Sequence, residues 1–173
     1  MLLAAFLLCF IAHILQGVLM LGPILLAFAP FVAICLLKES GRSSVWLAGL
    51  AGLCVDLFSD DPMGLHALNY AATAGMLYGV KRRLSYEEPL HLGLYTGGIS
   101  FVSTLLQLFL LFLFDRRVPF SGKWALVDVF CMPIVDGVYA LVWVAAPLWG
   151  LQRLRYKWDI YWVKKKNLSR TSH

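Results

Sequence analysis

Charge is what this chain has least of. Residues 1 to 37 contain no Lys, Arg, Asp or Glu, and charged residues make up only 14% of the whole 173-residue sequence. Long uncharged runs of this kind, with 60% hydrophobic residues and a mean hydropathy of +0.74, exclude an ordinary soluble domain and predict an integral membrane protein. Catalytic motifs are also missing. There is no G-x-S-x-G, no H-E-x-x-H, no Walker loop and no pair of carboxylates at a hydrolytic spacing, so no enzyme activity, cofactor or metal is expected. The cysteines Cys9, Cys35, Cys54 and Cys131 all fall in apolar runs without metal or redox spacing, and are expected to be small buried side chains. The N-terminal run lacks the basic n-region and small-residue cleavage site of a signal peptide, so it reads as a first span.

The apolar runs predict six transmembrane helices, at about residues 2 to 21, 23 to 37, 43 to 58, 62 to 80, 90 to 114 and 124 to 150. They form a transmembrane domain over 1–152, followed by a basic, aromatic tail over 153–173. Gly22-Pro23 separates the first two helices, and Pro30 is expected to bend the second. His13 and Gln16, one turn apart on the first helix, suit an interhelical hydrogen bond. Pro133 and Pro147 are expected to bend the last helix.

Twelve of the fifteen Lys and Arg residues fall in the loops at 38–42 and 81–89 and in the tail, and three in the loops of the other side. By the positive-inside rule both termini are cytoplasmic and the Asp60-Asp61-Pro62 turn faces outward. Seven of the basic residues lie in the tail beside Tyr156, Trp158, Tyr161 and Trp162. That composition fits a segment in the headgroup region and points to the lipid bilayer, not nucleic acid, as the partner of the net charge of +5.

The central stretch is Gly49 to Gly79. Ala48 and Gly52, four apart, let a neighbouring helix approach closely. Asp60 or Asp61 should cap the fourth helix with Pro62 at its first position, making a tight acidic turn that also holds Gly64. His66, Asn69, Tyr70 and Thr73 share one face of that helix, and Ala71, Gly75 and Gly79 form a small-residue ladder on another. An acid inside a membrane helix requires a partner or a function. Asp56, near the outer end of the third helix, is expected to be clamped by His66, Asn69 or Tyr70. A ligand or ion site and an unpaired interfacial acid are the alternatives. Asp136, near the middle of the sixth helix, is expected to be protonated or bonded to Gln107 or to the serines and threonines of the fifth.

From Pro30 to Leu84 the chain resembles the rod shape-determining protein MreD family of the bacterial inner membrane. The resemblance rests on Pro30 before a short apolar helix, the basic loop Lys38 to Arg42, Gly-Leu-Cys-Val-Asp-Leu at 52–57, and Pro62-Met63-Gly64-Leu65-His66-Ala67-Leu68. Asp136-Gly137, Pro147-Leu148 and Arg153 are similar to its last helix, where the family commonly carries Asn in place of Asp136. The resemblance implies an all-α fold like that of the substrate-binding subunits of energy-coupling-factor transporters. It also implies a non-catalytic subunit of the cell-elongation complex, bound to MreC and through it to the elongation penicillin-binding protein and RodA. The small-residue ladder and the Leu/Phe half of the fifth helix are then candidate surfaces for a partner's membrane helix. The alternative is a vitamin-binding transporter subunit with His66, Asn69 and Asp56 lining a pocket.

Overall fold

The computed structural model describes residues 2–19, 25–59, 61–79, 89–113, 127–151, 153 and 158. Among them there is no strand, and these residues form six helices: α1 (Leu2–Leu19), α2 (Ala29–Lys38), α3 (Gly41–Asp56), α4 (Leu65–Leu77), α5 (Pro89–Leu113) and α6 (Val127–Leu151). Of these, α5 and α6 are long and apolar enough to cross a membrane.

The second helix is shorter than its sequence predicts, and it lies at the centre. It begins at Ala29 instead of residue 23, and every residue from Ala29 to Leu37 is buried. Each of the other five helices packs against it. A helix buried on all sides can be apolar all round, which is why the sequence shows no polar stripe here. Ten residues extend only about 15 Å, half the thickness of a bilayer core. Pro30 does not bend this helix. It occupies the first turn, where its missing N–H is no loss.

Glycine sets two close helix contacts. At Gly52 of α3, a Cβ would stand 2.5 Å from the Ala67 Cα and 2.6 Å from the Ala67 nitrogen of α4, so α3 and α4 touch backbone to backbone. Between α5 and α6 the same role falls to Gly97, whose Cβ would meet the Pro133 carbonyl oxygen at 2.9 Å, and Gly137, whose Cβ would meet the Gly93 oxygen at 3.0 Å. Side chains of ordinary size would hold these pairs several ångström further apart.

The last helix absorbs its prolines by widening. Pro133 and Pro147 each follow a π-helical turn, Val127–Cys131 and Ala140–Ala145, and in each case the carbonyl four residues before the proline lies within that turn. The wider turn accommodates the ring that a regular helix would drive into this carbonyl. From the second of these turns Trp143 donates to the Leu8 carbonyl at 3.2 Å, tying α6 to α1.

Large apolar side chains cover the outside. Leu3, Val18, Trp46, Met63, Phe112 and Ile134 are each at least 70% exposed. The Leu/Phe half of α5 contributes Phe109, Phe112 and Leu113 to this surface, while Leu110 turns inward. Of the cysteines, Cys9 and Cys35 are buried as expected, whereas Cys54 is half-buried and Cys131 is exposed.

Candidate functional site

Two buried carboxylates, Asp56 and Asp136, organise the polar interior, and both bind backbone amides. Asp56 is the last residue of α3 and 6% exposed. One carboxylate oxygen accepts from the His66 N–H at 2.9 Å, and the other accepts from the N–H groups of Gly64 at 3.0 Å and Ala67 at 3.1 Å. These are orphan donors of the first turn of α4. The residue at the cap position is Gly64, held at φ 95°, which has no side chain to satisfy them. Asp56 therefore caps the following helix from the end of the preceding one, with its negative charge at the positive end of the α4 dipole.

This arrangement corrects two expectations. The clamp on Asp56 is made by amides, not by the side chains of His66, Asn69 and Tyr70. The largely buried His66 imidazole pairs instead with Asp61 at 3.2 Å. The Asn69 amide donates to the Ser103 hydroxyl of α5 at 2.9 Å, and its oxygen accepts from Thr73 at 3.4 Å. Tyr70 is buried in the core. Secondly, α4 starts at Leu65 rather than Pro62 because its cap arrives from Asp56. Pro62 lies in the preceding turn, its carbonyl accepting from Leu65 N–H at 3.1 Å, and Asp61 N–H bonds to the Ser59 hydroxyl at 3.1 Å. Asp60 lies outside the described residues.

Of the small-residue ladder, among the described residues only Ala71 meets another helix, standing 3.7 Å from where a Gly49 Cβ would be. Gly75 and Gly79 are exposed and a Cβ on either would meet nothing within 4 Å.

Asp136 is 1% exposed and faces the break between α1 and α2. One oxygen accepts from Leu26 N–H at 3.1 Å and the other makes a short hydrogen bond with the Ser100 hydroxyl of α5. The close α5–α6 approach at Gly93, Gly97 and Gly137 is what brings Ser100 within reach. Next to it the Tyr139 hydroxyl donates to the Ala27 carbonyl at 3.3 Å. Gln16, its amide oriented as its neighbours require, donates to the Leu25 carbonyl at 3.2 Å and accepts from Leu25 N–H at 2.7 Å. Four backbone groups of Leu25, Leu26 and Ala27 are thus taken up by side chains of α1 and α6, while the Ala27 N–H bonds to the Leu25 carbonyl and the Leu26 carbonyl to the Ala29 N–H. Such groups would otherwise be costly to bury.

The sequence flags Gln16, Ser100 as one of the α5 serines, and Asp136. Leu26 and Tyr139 escape it, although the Gly22-Pro23 break marks the segment that needs partners. His13 makes ring contacts with Phe28 and Phe58, at 5.8 and 5.9 Å between centroids. Among the described residues no buried side-chain nitrogen or oxygen lacks a hydrogen-bond partner, and no three His, Cys, Asp or Glu side chains gather as a metal site. Chemically, both acids act as acceptors that fix backbone geometry. Comparisons with family models, characterised proteins and solved structures return no match.

Proposed function

We propose that this chain is a multi-pass membrane protein with an MreD-like role, a non-catalytic scaffold subunit of the bacterial cell-elongation complex in the inner membrane. The bilayer reading is supported by the large exposed apolar side chains on α1, α3, α4, α5 and α6, and by the length of α5 and α6. In that setting the α1–α2 break lies at membrane depth, where non-helical backbone persists only if protein groups satisfy it. Gln16, Asp136 and Tyr139 do so.

The observation that carries the scaffold reading is the Asp56 cap. The stretch with the specific resemblance, Gly52 to Leu68, is the one that locks α3 to α4 through Gly52 and Asp56. Its buried polar groups are spent on the chain's own backbone and on Ser103, which favours a rigid framework over a solute pocket lined by Asp56, His66 and Asn69. The outer surfaces of α4 and α5 are then available to a partner's membrane helix, MreC being the expected partner, with the elongation penicillin-binding protein and RodA beyond it.

Depletion of the protein in its host should round the cells and remove the MreC-type partner from a detergent pull-down. Unchanged shape with an unchanged complex would overturn the reading. Retention of a vitamin-sized ligand through purification would replace it with the transporter alternative.

A further inference from the structure

We propose that Asp136 is a proton-operated latch: its neutral carboxyl holds the α1–α2 break against α6, and ionisation of that carboxyl releases the break. The inference rests on the membrane reading above, since a bilayer keeps water from this depth of the bundle. Asp136 is 1% exposed. Burial, the Ser100 hydroxyl and the Leu26 N–H are what act on its charge, and no basic side chain is among them. Tyr70 of α4 and Tyr139 of α6 lie within electrostatic reach of the carboxyl, Cys9 of α1 acts on both tyrosines, and Asp56 of α3 acts on Tyr70. Each of these groups can only add negative charge.

The hydrogen bonds suit the neutral acid. Its carbonyl oxygen accepts from the Leu26 N–H at 3.1 Å and its hydroxyl donates to Ser100, whose own hydrogen can turn back to the Thr96 carbonyl one turn earlier. Thr96 bonds to the Leu92 carbonyl in this way, at 2.8 Å. An ionised carboxylate would keep both partners and still lack an opposite charge, a costly state at this depth unless water reaches it. What can give way is the break. Gly93, Gly97 and Gly137 hold α5 and α6 in close contact, whereas Leu25 to Ala27 are non-helical and tied to other helices by three side chains, Gln16, Asp136 and Tyr139. Two of the three lie one turn apart on α6. Displacing this segment hydrates the carboxylate without unwinding a helix. Ionisation passes the carboxyl proton to water and protonation reverses the step, so the latch is shut at low pH and opens as pH rises.

The test follows the full-length protein in phosphatidylcholine nanodiscs from about pH 5 to about pH 9 by hydrogen exchange and infrared spectroscopy. Exchange at residues 26 and 27, divided by the chemical rate at each pH, should rise at least about tenfold over that range, while the α4 amides at 66 and 67 change less than about twofold. The infrared band of a neutral carboxyl should vanish over the same pH interval. Asp136→Asn, which cannot ionise, should lack that band and keep the break protected throughout. Constant protection in the wild type would overturn the latch, as would an equal pH response in Asp136→Asn. So would an acid already ionised at the lowest pH while the break is still protected. If Asp136→Asn does not fold, the wild type decides alone, and a band and a protection that change at different pH overturn the proposal. Failure to enter nanodiscs would instead sink the membrane reading on which it stands.

Discussion

Removing the Asp56 carboxylate is the most direct perturbation of this architecture. In Asp56→Ala, the N–H groups of Gly64, His66 and Ala67 lose acceptors now at 2.9 to 3.1 Å, and no side chain at the cap position can replace them because that residue is Gly64. An orphaned buried donor costs about 1–3 kcal/mol and a lost helix cap about 0.5–2 kcal/mol. The amides at the hairpin end are partly open to solvent, which favours the low end for each, so the three together should cost about 3–4 kcal/mol. For a chain of this size that lowers the melting temperature by about 6–16 °C. Asp56→Asn keeps one oxygen acceptor and should lie between wild type and alanine, since its NH₂ must face one set of donors. Thermal unfolding in detergent followed by circular dichroism measures the difference, and hydrogen exchange localises it. Exchange should accelerate at 64–67 and not in α2. An alanine variant within about 0.5 kcal/mol of wild type, with unchanged exchange at those amides, would refute the cap.

Asp136 should respond to shape more than to charge. Asparagine can accept from Leu26 N–H and donate to Ser100, so Asp136→Asn should stay within about 1 kcal/mol, whereas Asp136→Leu, which strands both partners in the core, should cost about 2–4 kcal/mol in the same unfolding assay. An equal loss in both variants would mean that the carboxylate charge itself is required. The glycines separate close packing from open surface. Gly52→Ala should destabilise by about 1–3 kcal/mol because its methyl group meets the α4 backbone, whereas Gly75→Ala, with nothing within 4 Å, should be neutral or stabilising by up to about 1 kcal/mol. The same effect from both would contradict the α3–α4 contact.

What the sequence by itself determines here is local. Uninterrupted apolar runs mark the helices to within a few residues for α1, α3 and α5. The four-residue spacing of Ala48 and Gly52 announces a close contact, and the inward face of Asn69, Tyr70 and Thr73 follows from helical periodicity. Two acids in apolar surroundings announce that they need partners. The identity of those partners is a tertiary fact. Every residue but proline offers the same N–H, so a carboxylate bonded to the amides of Gly64, His66 and Ala67 leaves no residue-type signature, and the polar side chains nearby attract the assignment instead. For the same reason the shortness and central position of α2 are invisible in its sequence, since an apolar run reads alike whether it faces lipid or five other helices. Only the packed bundle decides that Leu25 to Ala27 remain non-helical, because Gln16, Asp136 and Tyr139 reach them from distant parts of the chain and replace the hydrogen bonds that a helix would have supplied.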